Sequence, residues 1–135
     1  MAGFVRFALA RYELDGTLDA TFNGNGKATT RFRVGGDHLA NAVSLQPDGR
    51  ILVAGAAGVE FRPPGETAGR FAIARYDPDG SRDETFGGDG KTTTNFTRGI
   101  DIAERIAVKD DGTIVVVGRR DGRKLAILVR SGRDA

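Results

Sequence analysis

The chain has 135 residues, a formal net charge of +2 at pH 7, and 39% hydrophobic and 28% charged residues. This length is enough for the core of one ordinary domain, and so small a net charge gives no reason to expect a nucleic-acid partner. Cysteine is absent, which excludes disulfides, thiolate metal sites and cysteine nucleophiles.

The first elements are two predicted strands, separated by a turn and a glycine-rich excursion. Residues 4–12 are apolar and aromatic and alternate weakly, which is typical of a buried strand. Asp15-Gly16 supplies the positive φ that a tight reversal requires. Residues 17–26 contain too many glycines and asparagines for a helix, and the threonines of residues 27–32 indicate an exposed outer strand.

A hairpin is predicted next. Residues 40–46 and 50–55 are short apolar strands joined by Pro47-Asp48-Gly49, and Asp-Gly between apolar runs is a strong hairpin signal. Residues 56–69 have Pro63-Pro64-Gly65 at their centre, so we predict a long surface loop without regular structure there.

The rest of the chain repeats what precedes it. Residues 71–96 match residues 7–32 at 16 of 26 positions without a gap, at a constant offset of 64, which indicates a structural repeat. The predicted hairpin recurs at residues 103–118, with an offset of 63 between Gly49 and Gly112. Residues 124–130 then begin a third version of the strand that opens each copy.

One period contains four short strands joined by reversals: residues 40–46, 50–55, 70–76 and 90–96. No segment has the apolar period of a helix, and a repeat of ~60 residues with four antiparallel strands is typical of a β-propeller blade. We therefore predict an all-β fold of β-propeller blades with four antiparallel strands, about two blades per chain. The single repeat module, residues 1–135, would contain a partial blade (4–32), a full blade (40–96) and a three-stranded blade (103–130).

Two sequence segments resemble a known protein family. FAIARYDPDGSRDETFGGDGK at residues 71–91 and ANAVSLQPDGRILVAG at residues 40–55 resemble the bacterial delta-sixty repeat family, and the resemblance extends over residues 4–130. It implies a propeller fold and repeated assembly, but no reaction or substrate. The sequence departs from the family in its proline-rich insertion at residues 60–69 and in its low copy number.

The low copy number predicts self-association. Two blades cannot close a ring, and their open faces would expose apolar surface and strand edges. Strand exchange between neighbouring copies would complete every blade, so we expect a homotrimer with six blades or a homotetramer with eight. Residues 4–12 and 125–130 would then compete for one position.

One turn could hold calcium. Asp77, Asp79 and Asp83 present oxygens around Gly80, as short calcium loops do, but Gly88 stands where such a loop has a bidentate glutamate. The structural alternative is a turn in which an aspartate accepts backbone hydrogen bonds and a second acid pairs with Arg75. No cofactor other than calcium is expected.

Catalysis has little support in the sequence. His38 is the only histidine, and its place after two glycines and Asp37 predicts an exposed loop. We therefore predict no catalytic residues and a non-enzymatic binding or assembly module. A propeller lyase or hydrolase would need polar residues converging on His38 at the channel mouth.

The main alternative is a ring-shaped, carbohydrate-binding lectin. Sugar sites favour aromatic platforms, but tryptophan is absent and most aromatic residues recur at predicted strand positions, where core packing is expected. Phe61, in the proline-rich segment, is the aromatic residue expected to face a ligand.

No apolar run approaches the ~18 residues of a membrane span, so no membrane partner is expected. Without a cleavable signal pattern, the expected location is the cytoplasm by default, or the chain is a fragment of a secreted protein.

Overall fold

The computed structural model describes residues 5–62, 65–120 and 123–130, with side chains over residues 5–60 and 68–120. The described residues form strands and no helix, which confirms the all-β prediction, and none of them belongs to a helix that could cross a membrane. The strands are β1 Phe7–Ala10, β2 Lys27–Thr30, β3 Asp37–Leu45, β4 Ile51–Arg62, β5 Gly65–Tyr76, β6 Lys91–Thr94, β7 Asp101–Val108, β8 Ile114–Arg120 and β9 Arg123–Arg130.

These strands form three antiparallel sheets. Sheet 1 is β1–β2, sheet 2 is β3–β4–β5–β6 and sheet 3 is β7–β8–β9. In each sheet, strands that follow one another in sequence are hydrogen-bonded neighbours, which is the arrangement of a propeller blade. The reversals fall at the Asp-Gly pairs, where Gly16 and Gly80 both have φ 89°.

Residues 56–62 and 65–69 belong to the strands β4 and β5, so the prediction of a loop without regular structure is wrong there. β4 and β5 remain antiparallel partners there, with Ala57 opposite Arg70, Glu60 opposite Ala68 and Arg62 opposite Gly65. The register shifts after Ala57, as it does at a β-bulge.

Two apolar layers separate the three sheets. The layer between sheets 1 and 2 contains Phe7, Phe22, Ala28, Phe32, Ile51, Val53, Ala57, Ala72, Ala74 and Tyr76. The layer between sheets 2 and 3 contains Leu52, Ala54, Phe71, Ile73, Phe86, Ala103, Ile114 and Val116. Successive side chains of a strand point to opposite faces, and consecutive residues of β4 accordingly enter different layers. Sheet 2 therefore lies in the middle.

Candidate functional site

The turn after β5 contains the three carboxylates of the predicted calcium loop. Asp79 accepts hydrogen bonds from the backbone N–H and the hydroxyl of Ser81, at 3.0 and 2.6 Å. These bonds to a residue two positions ahead hold the turn and lower the pKa of Asp79 from its usual value of 3.8. Asp77 instead accepts a bond from Arg50 Nε at 3.2 Å.

Asp83 belongs to a buried ion pair. Its Oδ2 accepts a hydrogen bond from Arg75 Nε at 2.7 Å, and the two side chains are only 3% and 4% exposed. Its Oδ1 accepts bonds from the N–H and the hydroxyl of Thr85. Burial alone would raise the pKa of Asp83, but the hydrogen bonds from Thr85 and the charge of Arg75 outweigh it, so the pKa lies below its usual value of 3.8. The predicted pairing of a turn carboxylate with Arg75 is confirmed.

Arginines supply the positive charge beside these acids. Arg50 Nε lies 3.2 Å from Asp77 and 3.0 Å from Asp83, so its guanidinium stands between two of the three predicted calcium ligands. Within the described ranges, no group of three or more histidine, aspartate or glutamate residues is arranged to hold a metal ion. The geometry therefore favours the structural role of this turn.

The first copy contains the same ion pair in a more exposed setting. Arg11 Nε lies 2.7 Å from Asp19, and the Arg11 side chain is 36% exposed, against 4% for Arg75. Arg11 also stacks over the Phe22 ring at 4.6 Å and donates a hydrogen bond to the Pro78 carbonyl at 2.7 Å. The first copy thus reproduces the local geometry and docks against sheet 2 through it.

His38 is buried, so the prediction of an exposed loop histidine is wrong. β3 begins at Asp37, and the His38 side chain is only 1% exposed. Its ring packs edge-on against Phe32 at 5.5 Å, and its Nδ1 accepts the Gly58 N–H at 3.3 Å. Burial lowers the pKa of His38 from its usual value of 6.5. These contacts give the histidine a packing role between sheet 1 and sheet 2.

A polar cleft of about 380 Å³ lies at the base of the β4–β5 extension, by which we mean residues 57–62 of β4 and 65–70 of β5. It is formed by that extension and by the two connections that lead from β2 to β3 and from β6 to β7. Its charged and amide residues are Glu60, Arg70, Asn95 and Arg98. The side chain of Phe61, the residue predicted to face a ligand, lies outside the described residues, so that assignment stays a prediction.

Exposed apolar side chains, which the sequence reasoning missed, lie in two places, on the edge strand β3 of sheet 2 and just after β1 of sheet 1. Val43 and Leu45 on β3 are 59% and 69% exposed, and Tyr12 at the end of the β1 segment is 61% exposed. The repeat partner of Tyr12 is Tyr76, which is 2% exposed and shares a hydrogen bond between its phenol and the hydroxyl of Thr30. We call Val43 and Leu45 the open face.

Comparison with known proteins supports the propeller fold. A protein family described as a domain of unknown function (DUF5122) beta-propeller matches residues 2–22 and 46–86. No curated protein and no solved structure matches the chain. The match covers parts of both copies and the turn and second strand of the hairpin between them. Together with the antiparallel sheets, it confirms the prediction that the chain consists of β-propeller blades.

Proposed function

We propose that the chain is a non-enzymatic binding or assembly module of the delta-sixty type, which completes its propeller ring by association with copies of itself. The observation that carries the proposal is the exposure of Tyr12, at 61%, although the identical Tyr76 is 2% exposed. A tyrosine of this repeat becomes buried when a complete set of neighbouring strands surrounds it. The first copy has the residues for that environment, but the described part of the chain supplies no such neighbouring strands to it.

Unpaired strand edges support the same proposal. β5 pairs with both β4 and β6, whereas its counterpart β1 pairs with β2 alone among the described strands. β9 likewise pairs with β8 alone there. Open edges of this kind readily accept further strands. Head-to-tail contacts close into a ring when the rotation permits, and six or eight blades correspond to three or four copies.

The native mass tests this proposal. Light scattering of the purified chain at several concentrations is expected to give three or four times the chain mass of 14.3 kDa. A mass equal to one chain at all concentrations would contradict the proposal.

The polar cleft favours carbohydrate binding as a second candidate. Glu60, Arg70, Asn95 and Arg98 offer donors and acceptors around about 380 Å³, and such convergent polar groups can orient sugar hydroxyls. A glycan array is the test, with Arg70→Ala as the variant expected to lose the signal. An array without hits would remove this candidate and leave the assembly proposal unaffected.

A further inference from the structure

The exposed apolar residues of β3 lie on a face that sheet 1 covers only in part. Val43 pairs with Val53, and Leu45 pairs with Ile51. Directly opposed residues of an antiparallel pair share a face, so Val43 and Leu45 lie on the side of sheet 2 that packs against sheet 1. Among the described strands, sheet 1 has none beyond β1 at this position, and the two side chains are therefore left exposed.

The same position one blade later shows what covers it. The counterparts of Val43 and Leu45, at an offset of 63, are Ile106 and Val108 on β7. Both are partly buried and pack against the cluster that contains Leu52 and Ala54 of β4. We call the first two strands of each four-stranded blade its inner strands. Within this chain, the face of β7 that carries Ile106 and Val108 is therefore covered by the inner strands of the preceding blade, β3 and β4.

β7 and β8 form an inner hairpin with a free apolar face. Ile114 and Val116 of β8 are buried against sheet 2. Val115 and Val117 alternate with them, point to the opposite face and are only partly buried. They are the counterparts of Leu52 and Ala54, at an offset of 63. Within the chain, Leu52 and Ala54 of β4 cover Ile106 and Val108. Val115 and Val117 are apolar residues at the corresponding positions of β8, so they can cover Val43 and Leu45 of another copy in the same register.

The free edge of β1 is also complementary to the β7–β8 hairpin. β4 lies beside β5, with Ile51 opposite Tyr76, and the corresponding pair is Ile114 opposite Tyr12. The Thr30 that hydrogen-bonds Tyr76 has Thr94 as its counterpart, at an offset of 64. Thr30 is 1% exposed, whereas Thr94 is only partly buried. One incoming hairpin would therefore cover Val43 and Leu45 and pair with the free edge of β1, and sheet 2 of the same incoming copy would bring Thr94 to Tyr12.

We infer that one blade of the assembly is composite, with β7–β8 contributed by one copy and β1–β2 by the next. This inference rests on the proposed function and specifies the strands that meet. β8 pairs with β1 of the next copy as β4 pairs with β5, and Val115 and Val117 pack on Val43 and Leu45. β1 and β2 already occupy the two outer positions of that blade, so β9 of the first copy leaves its place beside β8.

Disulfide cross-linking tests this arrangement, because the chain has no cysteine of its own. Val53 opposite Ala74 corresponds to Val116 opposite Ala10, and directly opposed strand residues lie within disulfide range. The double variant Ala10→Cys with Val116→Cys is expected to form inter-chain disulfides on mild oxidation. A bond within one chain is excluded, because β1 and β8 lie on opposite sides of sheet 2. The matched control is Thr29→Cys with Val116→Cys, since β2 lies one strand farther from β8, and it is expected to remain uncross-linked.

The outcomes separate the inference from the proposed function. A native mass of several chains with no cross-linking of Ala10→Cys and Val116→Cys, or with equal cross-linking of the control, overturns the composite blade and leaves self-association standing. A native mass of one chain overturns both.

A second variant probes the apolar contact. Leu45→Asp, at a side chain 69% exposed in the single chain, is expected to reduce the native mass to that of one chain without loss of strand content. Thr93→Asp is the matched control, because Thr93 is exposed and lies on the same face of sheet 2, opposite Ala72 on the outer strand. Assembly of Leu45→Asp equal to that of the parent chain would overturn the proposed contact.

Discussion

Residues 7–32 and 71–96 are identical at 16 of 26 positions and have very different surroundings. In both copies an arginine Nε lies 2.7 Å from an aspartate, but the arginine side chain is 36% exposed in the first copy and 4% exposed in the second. Tyr12 and Tyr76 differ still more, at 61% and 2%. The repeat sequence thus specifies turn geometry and ion pairing locally, while burial depends on the strands that lie alongside.

The largest expected difference between the copies is at the tyrosines. Tyr76→Ala removes a buried ring and a hydrogen bond, and we expect it to lower the free energy of unfolding by about 3–5 kcal/mol. Tyr12→Ala is expected to leave the fold of one chain intact and to weaken association. Denaturant unfolding and light scattering of both variants check this, and equal losses of stability in the dissociated chains would contradict the comparison.

The second-largest difference in stability is expected between the two arginine–aspartate ion pairs. Asp83→Asn leaves Arg75 buried without its charged partner, which costs about 3–5 kcal/mol, and Arg50 loses the same neighbouring carboxylate. Asp19→Asn should cost less, since water reaches the Arg11 side chain. Urea unfolding at pH 7 measures both.

The free energy of unfolding at acid pH should depend on the same Arg75–Asp83 ion pair. The pKa of Asp83 is lower in the folded chain than its usual value of 3.8, so its ionised form stabilises the fold above that value. This contribution is lost as the pH falls through the lower, folded value. The acid dependence of unfolding should therefore be weaker in Asp83→Asn than in the parent, and identical dependences would argue against it.

The smallest expected effect is at His38. Its pKa is lowered by burial from 6.5, so the unfolded chain binds a proton more readily, and stability should decrease as the pH falls below about 6.5. Protonation would also remove the Nδ1 acceptor of the Gly58 N–H. His38→Gln, which retains a hydrogen-bond acceptor, should show a flatter stability profile between pH 8 and pH 5 in urea unfolding. An unchanged slope would place the pH dependence elsewhere.

The sequence predicted the blades because their signals are local. Alternating apolar residues mark the strands, and Asp-Gly pairs mark reversals whose glycines have positive φ. The pairing of Arg75 with Asp83 was also predictable, since the two residues flank one turn.

The failures share one cause, which is tertiary context. Gly35-Gly36 and Pro63-Pro64 indicated loops, but β3 begins directly after the first pair and places His38 in the core. β4 and β5 pair close to the second. The exposure of Tyr12 was missed for the opposite reason, because the repeat assigned Tyr12 and Tyr76 the same surroundings. In β3 the large side chains of Val43 and Leu45 alternate with the small ones of Ala42 and Ser44, and two large apolar residues on one face of an edge strand were the signal for a further contact.

The accessibility of Tyr12 in the native protein tests the central claim most directly. The chain has two tyrosines, and nitration with tetranitromethane followed by peptide mass mapping reports on each phenol separately. We predict that neither tyrosine is modified in the native protein at assembling concentrations, and that both are modified after unfolding. Nitration of Tyr12 alone in the native protein would contradict the claim that a neighbouring copy covers the first repeat.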